Sequence, residues 1–292
     1  MHDVIVVGGS YSGLAAALQL VRGRRRVLVI DAGQRRNRNA SHSHGFLTQD
    51  GRDPAAIAAD ARAQFLAYPT AKLLETRAES AAAIHNGFAV SVTNGERYQA
   101  ERLILALGVI DELPNIPGVE ERWGRSIFHC PYCHGYELGG GKIGVLATHP
   151  LSVHQGMLLP DWGDTTYFTR SFEPSAEERV ELERRGVIIE PTPLVSVEGH
   201  ATVRLVDGRT LPFAGLFLAP HNRIASRIVS DLGLELEDGP FGAIIKTDAM
   251  KATSVPGVFA CGDATMAAGS VSFAVADGAR AGFGAHRSLI FR

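Results

Sequence analysis

Asp3-Val-Ile-Val-Val-Gly8 is an uninterrupted apolar run stopped by glycine, and Val27-Leu-Val-Ile30 is a second, closed by Asp31. Runs that are apolar throughout, rather than alternating, mark parallel strands buried on both faces. Small and apolar residues over 12–20 predict a closely packed helix between them, so the chain opens with a β-α-β unit. Residues 54–66 carry the pattern of an amphipathic helix. Residues 86–100 read as two strands about the Asn94-Gly95 turn, and residues 103–108 as a further buried strand. Residues 113–118, with two prolines, read as a linker. A second strand-turn-helix opening starts at Lys142-Ile-Gly-Val-Leu-Ala147. It is followed by a strand at 165–169, a charged helix over 173–185 and a hairpin about Asp207-Gly208. Val258-Phe-Ala-Cys-Gly262-Asp263 and an alanine-rich helix close the chain. No short repeat appears, but the similar openings near residues 4 and 143 suggest two related halves. The expected fold class is α/β, with one domain inserted into another.

The 292 residues leave room for two domains of ~150 residues each. Twenty-nine basic against 31 acidic side chains form no electrostatic footprint for nucleic acid or an anionic membrane. No apolar run approaches the ~18 residues of a membrane span. The first residues lack the pattern of a secretory signal, so a cytoplasmic location is expected. Three cysteines exclude a disulfide scaffold.

Three constellations carry chemistry. In Gly8-Gly9-Ser10-Tyr11-Ser12-Gly13, Gly8 permits the tight turn and Gly13 lets helix and strand approach. The helix start then faces a pyrophosphate, and Asp31 can accept hydrogen bonds from a ribose. Ser10 replaces the middle glycine of the usual pattern. An ordinary strand-to-helix turn is the plainer reading, but the acid closing the second strand favours nucleotide binding. The second constellation, Thr253-Ser-Val-Pro-Gly-Val-Phe-Ala-Cys-Gly-Asp263, taken alone is a turn, a buried strand and an acid that could cap a helix. Cys261 within it reads as a small core residue. The third is His129-Cys130-Pro131-Tyr132-Cys133-His134-Gly135-Tyr136-Glu137. Two thiols two residues apart form a redox pair by default in a cytosolic chain. Haem attachment would need export, a zinc site would need a second such pair, and inert burial sits poorly with the flanking histidines.

In combination these features resemble the two-dinucleotide-binding flavoproteins, and in their order the low-molecular-weight thioredoxin reductases, over essentially the whole chain. The resemblance implies a Rossmann-like FAD domain at 1–112 and 245–292, and an inserted, smaller NAD(P)-binding-like domain at 113–244. It makes Gly8, Ser10, Gly13, Asp31, Gly262 and Asp263 the FAD residues. It assigns Cys130 the attack on the partner and Cys133 the place nearer the flavin, and it implies a homodimer.

Two departures from that family alter the expected activity. Where thioredoxin reductases carry an acid/base aspartate, this chain has His134, whose imidazole, with an ordinary pKa near ~6.5, readily takes a thiol proton at neutral pH. The plainer reading is a histidine that only hydrogen-bonds the loop. The glycine-rich NADPH turn is replaced by Ala147-Thr148-His149-Pro150-Leu151-Ser152, and only Arg170 stands where a basic cluster would read the 2′-phosphate. Cys-Pro-Tyr-Cys-His-Gly-Tyr-Glu, with Arg36-Asn37 and His42-Ser-His-Gly-Phe-Leu-Thr48, resembles the FAD-dependent dithiol oxidases of the gliotoxin and holomycin type. That implies a small dithiol substrate, O2 as acceptor with release of H2O2, and His134 as base. His42 and His44 either line the flavin pocket or are plain loop residues. The competing expectation is a reductase of a thioredoxin-like protein fed by NADPH or by another donor such as ferredoxin. A redox-sensing FAD protein without turnover is the third.

Overall fold

Apolar strands that are buried on both faces need a layer on each side, and the computed structural model supplies both. It describes residues 1–169, 171–266 and 269–291, and the chain divides into two units. The first comprises residues 1–38, 46–110 and 222–292; the second comprises residues 39–45 and 111–221.

In the first unit β1 (His2–Val7) pairs in parallel with β2 (Val27–Asp31), Val4 opposite Val27. Beyond β2 lies β3 (Ala71–Glu75); on the other side of β1 lies β6 (Arg97–Leu105). β6 in turn carries the strand Val258–Ala260 in parallel and β5 (Gly87–Val92) antiparallel, with β4 (Ala78–Ile84) outermost. One nine-residue strand thus replaces the two that the pattern predicts over 97–108. Its first half is half-buried in a hairpin and its second half is fully buried between parallel neighbours, so the hydropathy changes midway although the backbone does not.

Alternation along β1 sorts its side chains onto two faces. Val4 and Val6 pack with α1 (Tyr11–Arg22) and the C-terminal helix through Leu14, Ala17, Leu20, Ala281 and Ala285. Ile5 and Val7 pack against Phe88, Val90, Ile228 and Ile245. α2 (Pro54–Leu66) starts under an Asp53 cap, its Oδ1 accepting from Ala55 N–H at 2.8 Å, with Pro54 at the first helical position.

In the second unit five parallel strands stand in the order 188–190, 163–168, 140–146, 215–217, 127–128. A separate antiparallel sheet, 194–198, 202–205 and 210–212, contains the Asp207-Gly208 hairpin. The helices are α3 (Pro131–His134), α4 (Ser152–Leu158) and α5 (Ala176–Arg184). α5 begins later than the charge pattern suggests because Ser175 and Glu178 form a reciprocal capping box.

The return of the chain to the first unit lies at 221/222, not near 245. The reason is burial: Ile228 and Val229 of α6 (Ile228–Asp231), Leu234 and Ile245 belong to the core beneath β1 and β5. The C-terminal helix, α7 (Val271–Ile290), lies close on α1 because a Cβ at Gly278 would run into the Ser12 carbonyl. No helix among the described residues is long and apolar enough to cross a membrane.

Candidate active site

Gly8 ends β1 with φ +100° and no room for a Cβ against the Ala106 carbonyl. A Cβ on Gly13 would strike the Gly8 carbonyl, and one on Gly9 would meet Asp31. The turn is therefore a backbone cradle from which side chains are excluded, and Ser10 leads into α1 from an extended conformation without capping it. Asp31 faces this turn: its Oδ1 accepts from Gly9 N–H at 3.1 Å, while Arg62 lies 3.8 Å from Oδ2. A cleft of about 480 Å3 opens beside it, lined by residues 31–34, Arg62 and residues 75–77.

The closing turn belongs to the same unit. Gly262 has φ +79° and packs on the Ser12 side chain, and Asp263 receives Arg36 at 3.0 Å. Beside it, Asn37 donates to Tyr11 OH at 3.1 Å, and its buried Oδ1 has no protein partner. Gly8, Ser10, Gly13, Asp31, Gly262 and Asp263 are thus held in one unit. A glycine cradle, an acid at the end of β2, a cleft and an orphaned buried acceptor beside the paired Arg36 suit the pyrophosphate and ribose of FAD. Cys261, in the strand before this turn, is a fully buried free thiol whose pKa burial pushes up.

In the second unit Cys130 and Cys133 form a disulfide, their Cα atoms 5.3 Å apart. Pro131 starts α3 with its missing N–H at a position that needs none, and Gly135 N–H closes the turn on the Pro131 carbonyl at 2.7 Å. Both cysteines are half-buried, and Tyr132 between them is exposed, edge-on to Trp162 at 5.3 Å. His134 follows directly, its ring stacked on Phe128 with centroids 4.3 Å apart. Burial, with a smaller contribution from nearby His44, pushes its pKa from 6.5 down to about 4, against an opposing pull from Glu137. The ordinary imidazole pKa expected from sequence is therefore corrected downward.

His44 belongs to the 39–45 segment of this unit, with Nδ1 3.4 Å from Glu137 Oε1. His42 is exposed beside Ser41 Oγ at 2.9 Å, its ring tilted against that of His44 with centroids 6.2 Å apart.

The turn after the strand Gly140–Leu146 is closed by its own side chains. Ser152 Oγ accepts from the N–H groups of Thr148 and His149 at 3.3 Å each, and His149 Nδ1 accepts from Leu151 N–H at 3.2 Å. Pro150 has no N–H, and His149 fills the interior with His221 and Phe172 against its ring. The donors that would meet a pyrophosphate are thereby occupied within the protein. Arg170 lies outside the described residues. Among those residues no group of three or more metal-type ligands gathers.

Two features escape a motif reading. Gln155 on α4 donates to the His129 carbonyl at 2.8 Å, bracing the residue before Cys130. Lys251 and Asp277 form a buried ion pair at 3.1 Å behind the closing turn. A signal for the second existed: Asp277 interrupts the small-residue face of α7, where a buried acid needs a partner.

The pyridine nucleotide-disulphide oxidoreductase family matches residues 2–278. An oxidoreductase of known structure from Agrobacterium tumefaciens is 53% identical, with a TM-score of 0.97 over 99% of each chain. The structure of HlmI is 33% identical, with a TM-score of 0.92 over 99% of this chain and 92% of that one. Thioredoxin reductase sirT of Leptosphaeria maculans is 32% identical, the alignment covering 97% of this chain and 93% of that protein.

Proposed function

The chain belongs to the pyridine nucleotide-disulphide oxidoreductases as an FAD-dependent, thioredoxin reductase-like enzyme, and from that premise we propose that it oxidises a small dithiol to its disulfide. The observation that carries this reading is the self-closed turn at 147–152 in the same unit as an intact Cys130–Cys133 disulfide. Electrons then enter from a dithiol rather than from NADPH.

In this reading a substrate thiolate attacks Cys130 Sγ and Cys133 leaves as a thiolate. The second substrate thiol then attacks the substrate sulfur of the mixed disulfide and expels Cys130. One substrate disulfide forms, one protein disulfide becomes two thiols, and two electrons and two protons change hands. Neutral His134 takes the proton of the incoming thiol. The chemistry that FAD supplies is acceptance of those two electrons from the reduced pair and their delivery to O2, released as H2O2. Gly8, Ser10, Gly13 and Asp31 hold its adenosine and pyrophosphate end, and Gly262 and Asp263 its ribityl part.

The reading includes a cytoplasmic enzyme, in keeping with a chain that keeps Cys261 as a free thiol. It also includes a homodimer. Phe273, Phe283 and Ile290 recur on one exposed face of α7, with Arg280 and Arg287 between them, a mixed apolar and basic face suited to a second copy. The competing reading, a reductase of a thioredoxin-like protein, has in its favour that the Leptosphaeria relative is named a thioredoxin reductase. The closed turn stands against it.

Anaerobic bleaching of the holoenzyme separates the two. A small dithiol should bleach the flavin and air should restore the colour, with H2O2 formed, while NADPH and NADH leave the spectrum unchanged. Rapid bleaching by NADPH would replace the oxidase with the reductase.

A further inference from the structure

Lys251 and Asp277 are buried, with side chains 8% and 10% exposed, and take no part in thiol exchange. Asp277 projects from α7 toward the closing turn. Its Oδ1 receives Lys251 Nζ at 3.1 Å, and its Oδ2 receives Gly262 N–H at 2.9 Å. Thr265 Oγ1 completes the group, 2.9 Å from Lys251 Nζ and 3.1 Å from both Asp277 Oδ2 and the Gly262 carbonyl.

The lysine is held with equal care. Its backbone sits in the left-handed region at φ +68°, which side-chain-bearing residues avoid. Asp248 builds the loop around it, accepting from Met250 and Ala252 N–H at 2.8 and 2.9 Å. The Lys251 carbonyl takes Ala260 N–H at 3.0 Å, one residue from the start of the closing turn. Three separate segments therefore converge on Gly262: the 248–252 loop, the 262–265 turn and α7.

Stability alone is a poor reason for such a pair, since desolvating two charges costs about what their attraction returns, and apolar replacements of similar volume are often neutral. What the pair does that an apolar core cannot is accept the Gly262 N–H and set that peptide's orientation. Gly262 also packs on Ser12, one residue from Gly13 of the first glycine turn, and Gly278 packs on the Ser12 carbonyl. We infer that Lys251 and Asp277 are positioning residues for FAD: they fix the Gly262–Asp263 turn against the first glycine turn so that both meet the cofactor in register. The role is the same whichever dithiol or disulfide the enzyme turns over.

The test uses holoenzyme and two readouts that do not involve turnover. Flavin fluorescence on heating reports FAD release, and far-UV circular dichroism on the same samples reports unfolding. In the natural protein the two transitions should coincide. In Lys251→Met we expect FAD release well below unfolding, and FAD lost on dilution at concentrations about tenfold higher or more. Asp277→Asn keeps an oxygen for Gly262 N–H, so its two transitions should separate less than those of Asp277→Leu. It also serves as the test if Lys251→Met does not fold. Release and unfolding that move down together, or unchanged FAD retention in both Lys251→Met and Asp277→Leu, would show a purely structural pair and overturn the inference.

Discussion

His134 should act as a neutral base far below the pH at which an ordinary histidine charges. A fall in pKa from 6.5 to about 4 favours the neutral imidazole by ~3 kcal/mol, mainly through burial. At pH 5 about 90% of such a group is neutral, against about 3% for one at 6.5. The perturbation is His134→Gln, and the assay is stopped-flow bleaching of the holoenzyme by a small dithiol between pH 5 and 8, without O2. With His134 present, the rate should change little between pH 7 and pH 5, because the base remains available. In His134→Gln only preformed thiolate can attack. Its rate should therefore fall about tenfold for each pH unit from 7 to 5, following the thiolate fraction of the substrate. The same shift gives a stability test. Between pH 6.5 and about 4 the unfolded chain binds a proton that the folded chain refuses, so stability falls with pH across that window, by ~3 kcal/mol at most from this residue. The reasoning is refuted if the natural enzyme loses activity with a midpoint near 6.5, or falls as steeply with pH as His134→Gln.

Three other outcomes follow from the geometry. Cys133→Ser should stay yellow yet lose dithiol oxidation, read by absorbance and O2 uptake; full activity would remove the redox-pair assignment. Gly13→Ala places a Cβ against the Gly8 carbonyl, so the protein should purify without flavin or with a small fraction of it; a fully yellow variant would contradict the cradle. Ser152→Ala frees the N–H groups of Thr148 and His149, costing ~1 kcal/mol in urea unfolding. It should still not let NADPH bleach the flavin, because Pro150 and the buried His149 remain.

Much of the site was legible in the residues because backbone geometry demands particular types. Only glycine serves at Gly8 and Gly262, with positive φ and no space for a Cβ, so the turns announce themselves in the sequence. The Cys-x-x-Cys pair is likewise local, its Cα separation set by one turn of α3. Less was legible where neighbours decide. β3 and β4 occupy residues 71–75 and 78–84, yet alanine dominates the second and carries little strand signal. β6 reads as two pieces because its surroundings change from hairpin to buried sheet midway.

The sequence by itself determined the β-α-β opening, the glycine cradle, the Cys130–Cys133 pair and the replacement of the second glycine turn, all of which depend on residues within a few positions of one another. Tertiary structure alone decided what charge those residues carry and what holds them. The pKa of His134 is set by Phe128 packing and by His44, some 90 positions earlier in the chain. The ion pair behind Gly262 joins Lys251 to Asp277 across a strand and a turn. The return of the chain at 221/222 reflects which core buries Ile228 and Leu234. Burial and long-range electrostatics depend on what surrounds a side chain in space, and residue order does not specify that until the chain has folded.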